Sequence, residues 1–66
     1  MRIQVNGESR ELPDDSTVAG MLAALELPER GIAVAVDGVV VRRTEWARAV
    51  VGDGAHVEIL TAVQGG

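Results

Sequence analysis

Few side chains in this 66-residue chain could do covalent chemistry. It has no Cys, Tyr or Lys, so thiolate, phenolate and ε-amine nucleophiles are missing, as is any thiolate ligand for zinc. His56 is the single histidine and cannot build a metal site unless several carboxylates converge on it. A solvent-facing strand position accounts for it. Ser9 and Ser16 fall in a hairpin strand and at a helix start, where structural roles suffice. Asp14 and Asp15 are adjacent acids, but a loop position just ahead of a helix suits their charge to its N-terminus rather than to acid–base work. An enzyme needs a nucleophile, a base or a metal held in a pocket. The side chains supply none of these, and the chain is expected not to be an enzyme.

One reactive group remains, the α-carboxylate of Gly66 at the end of Thr61-Ala62-Val63-Gln64-Gly65-Gly66. Glycine has no Cβ, so Gly65 and Gly66 can lie close against another backbone and thread a narrow channel. A carboxylate is a poor electrophile until one oxygen joins a good leaving group. Adenylation by ATP would do that, and a sulfur nucleophile could then displace AMP to leave a thiocarboxylate, a portable sulfide donor. On this reading Gly66 is the modified residue, and Val63, Gln64 and Gly65 thread a partner's active site. Partner enzymes do every step. No bound cofactor is expected, and ATP is used by the partner adenylyltransferase.

The elements that would present this tail can be read in chain order. Met1, Ile3 and Val5 alternate with Arg2 and Gln4, the period of a half-buried strand. Asn6-Gly7 predicts a type I′ hairpin turn, which needs positive φ at both central positions. Glu8 to Leu12 returns as a strand polar enough for a sheet edge, and Pro13-Asp14-Asp15 ends it. Ser16 or Thr17 can cap the helix that follows. Val18, Met21, Leu22 and Leu25 then recur at i, i+3, i+4 and i+7, one apolar face. Gly20, with Ala19, Ala23 and Ala24, is expected to allow close packing on the sheet, and Leu27-Pro28 to end the helix. Ile32 to Val36 and Val39 to Val41 flank Asp37-Gly38, a second hairpin signal. Thr44 to Ala47 suggests a short helical turn, with Trp46 either closing the core or anchoring an interface. Gly52-Asp53-Gly54 turns the chain into a last strand, Ala55 to Leu60.

A right-handed crossover over the helix places that last strand beside the first. The fold class is α+β: a mixed four- to five-stranded sheet packed on one helix, the β-grasp or ubiquitin-like arrangement. The domain is expected to span 1–60 and the functional tail 61–66. If Val57 and Ile59 face the helix, Leu60 and Ala62 lie on the open face with Ala33 and Ala35, a small apolar patch suited to docking a partner.

Ten acids against six arginines give a formal charge of −4. With no basic stripe, and Trp46 as the one aromatic, the chain is unsuited to nucleic acid and better suited to a basic protein surface. The N-terminus lacks the apolar stretch of a signal peptide and no run approaches membrane-spanning length, so a cytoplasmic location and no membrane partner are expected.

VVVRRTEW at Val39 to Trp46 after an Asp-Gly turn, the Asp53-Gly54 turn, and the ending VEILTAVQGG carry a resemblance over the whole length. The chain resembles the ThiS family, small sulfur carriers of thiamine (thiazole) biosynthesis. Many members carry proline where Val41 or Arg42 stands, a difference that leaves the tail untouched. The resemblance implies three partners: an E1-like adenylyltransferase of the ThiF type, a persulfide sulfur donor such as a cysteine desulfurase, and a thiazole synthase of the ThiG type. Two alternatives differ in what they expect of the tail. The small subunit of molybdopterin synthase also ends in two glycines but is usually longer. A non-covalent ubiquitin-like binding module would work without its terminal glycines.

Overall fold

The computed structural model describes residues 1–61. Both hairpins form at the dipeptides that signal them. Strand β1 (Arg2–Val5) turns through Asn6 and Gly7 at φ 51° and 85° into β2 (Glu8–Glu11). Strand β3 (Ile32–Val36) turns through Asp37 and Gly38 at φ 50° and 84° into β4 (Val39–Val41). These are the left-handed values a type I′ turn requires, and they suit the twist of the flanking strands. The last strand, β5 (His56–Thr61), runs parallel to β1 and antiparallel to β3, giving one mixed sheet in the order β2-β1-β5-β3-β4. It extends one residue past Leu60, because Thr61 pairs with Ile32. The root of the tail is therefore the end of the central strand.

Helix α1 (Val18–Ala24) crosses one face. Its opening N–H groups, which have no intrahelical partner, are all taken. Val18 N–H donates to Ala49 C=O and Ala19 N–H to Trp46 C=O, each at 2.9 Å, and Gly20 N–H donates to Thr17 Oγ1 at 3.0 Å. Thr17 is thus the cap, while Ser16 Oγ donates to Pro13 C=O. No acid falls in the first helical turn: Asp14 instead pairs with the Met1 ammonium at 3.0 Å, and Asp15 occupies a turn at φ 64°.

The helix stops earlier than Leu27-Pro28, and for a different reason. Leu25 caps it, and Glu26 follows at φ 59°. Glu26 N–H donates to Ala23 C=O and Leu27 N–H to Leu22 C=O, the paired bonds of a Schellman ending. Those bonds need one left-handed residue, and the position usually held by glycine is held here by glutamate. A second expectation also changes. Val18, Met21 and Leu22 are buried as expected, but Gly20, Ala23 and Ala24 face solvent, so these three do not form the helix–sheet contact.

The core lies between α1 and the sheet. Ile3, Val5, Val34 and Val57 meet Val18, Met21 and Leu22, with Leu12, Val51 and Ala55 closing the periphery. Trp46 is 4% exposed, sealing the core at the end of a 3-10 turn (Arg43–Glu45), and its indole N–H donates to Val41 C=O at 2.8 Å. A buried indole needs that partner. Among the described residues no buried residue is polar or charged.

Candidate functional site

The site expected from the sequence has two parts, the tail and the surface at its root. Ala62, Val63, Gln64, Gly65 and Gly66 lie outside the described residues, while the root lies within them. Along β5, His56, Glu58 and Leu60 point to the open face, whereas Val57 and Ile59 point toward the helix. Leu60 is 65% exposed and pairs across the strands with exposed Ala33. Ala35 pairs with Glu58 on one side and with Val40 on the other.

Val40, 69% exposed, extends this apolar strip, and sequence reasoning passed over it. A signal for it exists: once Asp37-Gly38 fixes a two-residue turn, Val40 must sit opposite Ala35 and share its face. The open face therefore carries Leu60, Ala33, Ala35 and Val40 together, Leu60 and Ala33 beside the tail's root and Ala35 and Val40 level with Glu58. An apolar strip beside a tail is a surface a partner can bury.

The helix side of the same root is also apolar. A groove of about 360 Å³ is bordered by Val5, Leu25, Leu27, Ile59 and Thr61, with the Glu8–Arg10 ion pair at its rim. Asn6 borders it too, through a contact that sequence reasoning missed. The Asn6 side chain donates from Nδ2 to Ile59 C=O at 3.1 Å and accepts at Oδ1 from Ile59 N–H at 2.9 Å. The two residues are 53 apart in sequence, so no local pattern could have joined them.

His56 is exposed, and among the described residues no cluster of His, Cys, Asp or Glu could hold a metal ion. Among the described residues, the resolved electrostatic perturbation is at Met1. The hydrogen bond that the Met1 ammonium donates to Asp14 raises its pKa above the usual 8.0, aided by the charges of Asp14, Asp53 and Glu11 and opposed by desolvation. No helix among the described residues is long and apolar enough to cross a membrane.

A five-stranded mixed sheet crossed by one helix, with its last strand at the centre, defines a β-grasp protein of the ubiquitin-like class. The chain belongs to the ThiS family, whose profile matches residues 3–66. It is 29% identical to the sulfur carrier protein ThiS of Escherichia coli over 66 residues, covering 100% of both chains. It is 32% identical to a thiazole synthase of Paramagnetospirillum magneticum over 66 residues, all of this chain but only 20% of that one. The chain thus spans a fifth of the length of one relative and the whole of the other. The crystal structure of the thiamine biosynthesis protein ThiS from Geobacter metallireducens superposes with a TM-score of 0.86 at 29% identity, over 100% of both chains. A solution structure of a thiamine biosynthesis protein from the same organism gives 0.79 at 29% identity, over 100% of this chain and 88% of that one.

Proposed function

We propose that this chain, a ThiS-type sulfur carrier of thiamine biosynthesis, carries its sulfur as a thiocarboxylate on Gly66. The observation that supports this most is the end-to-end match to the E. coli carrier, which runs through Gly65-Gly66. The chemistry follows from what a carboxylate lacks. A Gly66 oxygen attacks the α-phosphorus of ATP in the partner adenylyltransferase, pyrophosphate leaves, and an acyl adenylate results. A sulfide-level nucleophile then adds to the carbonyl and AMP departs with the oxygen, giving the thiocarboxylate. If a persulfide delivers the sulfur, a thiol must reduce the acyl disulfide formed first.

The chain's own contribution is to dock and to present. Leu60, Ala33, Ala35 and Val40 give the partner an apolar strip at the root of the tail, and Ala62 would extend it. Val63, Gln64 and Gly65 span the partner's channel. Five residues past Thr61 reach about 17 Å at full extension, so the enzyme acting on Gly66 must also cover the surface around Thr61. Thiazole synthase is the acceptor this reading favours, because a sequence like this one makes up a fifth of a chain bearing that name. The need for ATP favours a cytoplasmic reaction.

Deleting Gly66 tests the proposal in a strain that depends on this chain for thiamine. The expected outcome is a protein that melts at the wild-type temperature yet gives no growth without thiamine. Normal growth of the deletion strain would contradict it.

A further inference from the structure

Strand β5 is supported unequally along its length. On one side β3 pairs with it as far as Thr61. On the other, β1 pairs only through Gln4–His56 and Val5–Val57, and then turns away into the hairpin after a last bond from Asn6 N–H to Val57 C=O at 2.9 Å. Alternate residues of a strand turn their N–H and C=O to the same side, so Ile59 faces an edge that β1 has vacated. The Asn6 amide fills that vacancy, meeting both the N–H and the C=O of Ile59. One side chain does there what another residue of strand would have done.

The residue type is decided by this contact. Asn, Asp and Gly all suit the first position of a type I′ turn. Only Asn also offers both a donor and an acceptor, since an ionised Asp only accepts and Gly has no side chain. The other hairpin supplies the comparison. Asp37 holds the same turn position at φ 50° and grips the opposite end of β5. Its N–H donates to His56 C=O at 2.8 Å, and its Oδ1 accepts from His56 N–H at 2.9 Å. There the backbone is the donor, so an acceptor side chain is enough. The first residues of the two turns thus bracket the central strand, Asp37 where it begins and Asn6 two residues before it ends.

We infer that Asn6 is a positioning residue that aims the reactive tail, by fixing the last turn-side support of β5 ahead of the tail's root. This rests on the reading of Gly66 as the reacting end. Docking on that reading draws on the strip of Leu60, Ala33, Ala35 and Val40, of which Asn6 is not a part. A misaimed tail should therefore slow the chemical step more than it weakens binding, because small displacements of a reacting group cost rate steeply.

The test compares Asn6→Gly with a control, Asp37→Gly. Both substitutions keep a residue that accepts the turn, and each removes one bracket from the same strand. For Asn6→Gly, conversion of Gly66 by the adenylyltransferase with ATP and a sulfur source should fall about tenfold or more in kcat, with KM within about twofold. Asp37→Gly should leave both within about twofold. Asn6→Asp, which keeps the turn and the acceptor but loses the donor to Ile59 C=O, should fall in the same direction as Asn6→Gly. Hydrogen exchange reads the aiming with no enzyme present. The Ile59 amide should exchange about tenfold faster in Asn6→Gly and keep the wild-type rate in Asp37→Gly. Equal exchange and equal kinetics in the two glycine variants would overturn the inference. If wild type itself is not converted, the thiocarboxylate reading fails, while the exchange comparison still decides the role of Asn6.

Discussion

At the scale of single residues, polar side chains here act mainly on backbone. Thr17, Asn6 and Asp37 each meet main-chain groups that secondary structure leaves unpaired. The exposed pairs Arg2–Glu11, Arg10–Glu8 and Arg48–Glu45 contribute little, because water and salt screen them and two long side chains must be ordered. Among the described residues, the Met1–Asp14 pair is the one with a resolved titration shift. With the α-ammonium free, its pKa is raised in the folded state, chiefly by the Asp14 hydrogen bond. A raised value means stability that is fully present below the usual 8.0 and lost as pH climbs through the folded value. Above neutrality the melting temperature should therefore hold to about pH 8 and decline beyond it. Asp14→Asn should flatten that decline, and an unchanged profile would show that the pair contributes nothing to it.

At the scale of elements, the helix ending gives the sharpest expectation. Glu26 sits at φ 59°, where a Cβ crowds the backbone at a cost of about 1–2 kcal/mol. Glycine removes that crowding but adds freedom to the unfolded chain, so Glu26→Gly should stabilise by about 0.5–1 kcal/mol in urea unfolding. A loss of stability would mean that the Glu26 side chain makes a contact worth more than its strain. This element also shows where the sequence stops being informative. Asn6-Gly7 and Asp37-Gly38 announce their turns because few residues accept two successive positive φ values. The apolar face of Val18, Met21 and Leu22 is equally plain. A left-handed glutamate carries no such signature, and the proline two residues later draws attention from the true stop. The outward turn of Gly20, Ala23 and Ala24 is hidden because small residues fit either a tight contact or an exposed face. The Asn6–Ile59 contact is hidden by its separation, since only the assembled sheet brings the two together.

At the scale of the molecule, a small core leaves an apolar strip outside it. Among the described residues, eleven buried apolar ones fill the space between helix and sheet, and a chain this short buries only about 60% of its unfolded surface. Leu60, Ala33, Ala35 and Val40 stay outside that core although all are apolar. Their place on one face can be read from period-2 alternation, except for Val40, which needs the hairpin register. Leu60→Asp should therefore weaken binding to the adenylyltransferase about tenfold or more while the melting temperature holds, as expected for a central contact in an interface. A fall in melting temperature at unchanged affinity would place Leu60 in the core instead. The candidate chemistry of the tail is legible by elimination, since no side chain competes with the Gly66 carboxylate, and its pathway by family resemblance alone.

The most direct measurement is the intact mass of the chain after incubation with its adenylyltransferase, ATP and a sulfur source. The account predicts that one oxygen is replaced by sulfur, that fragmentation locates the change at Gly66, and that deleting Gly66 abolishes it. An unchanged mass beside an adenylyltransferase shown to be active on another carrier would contradict it.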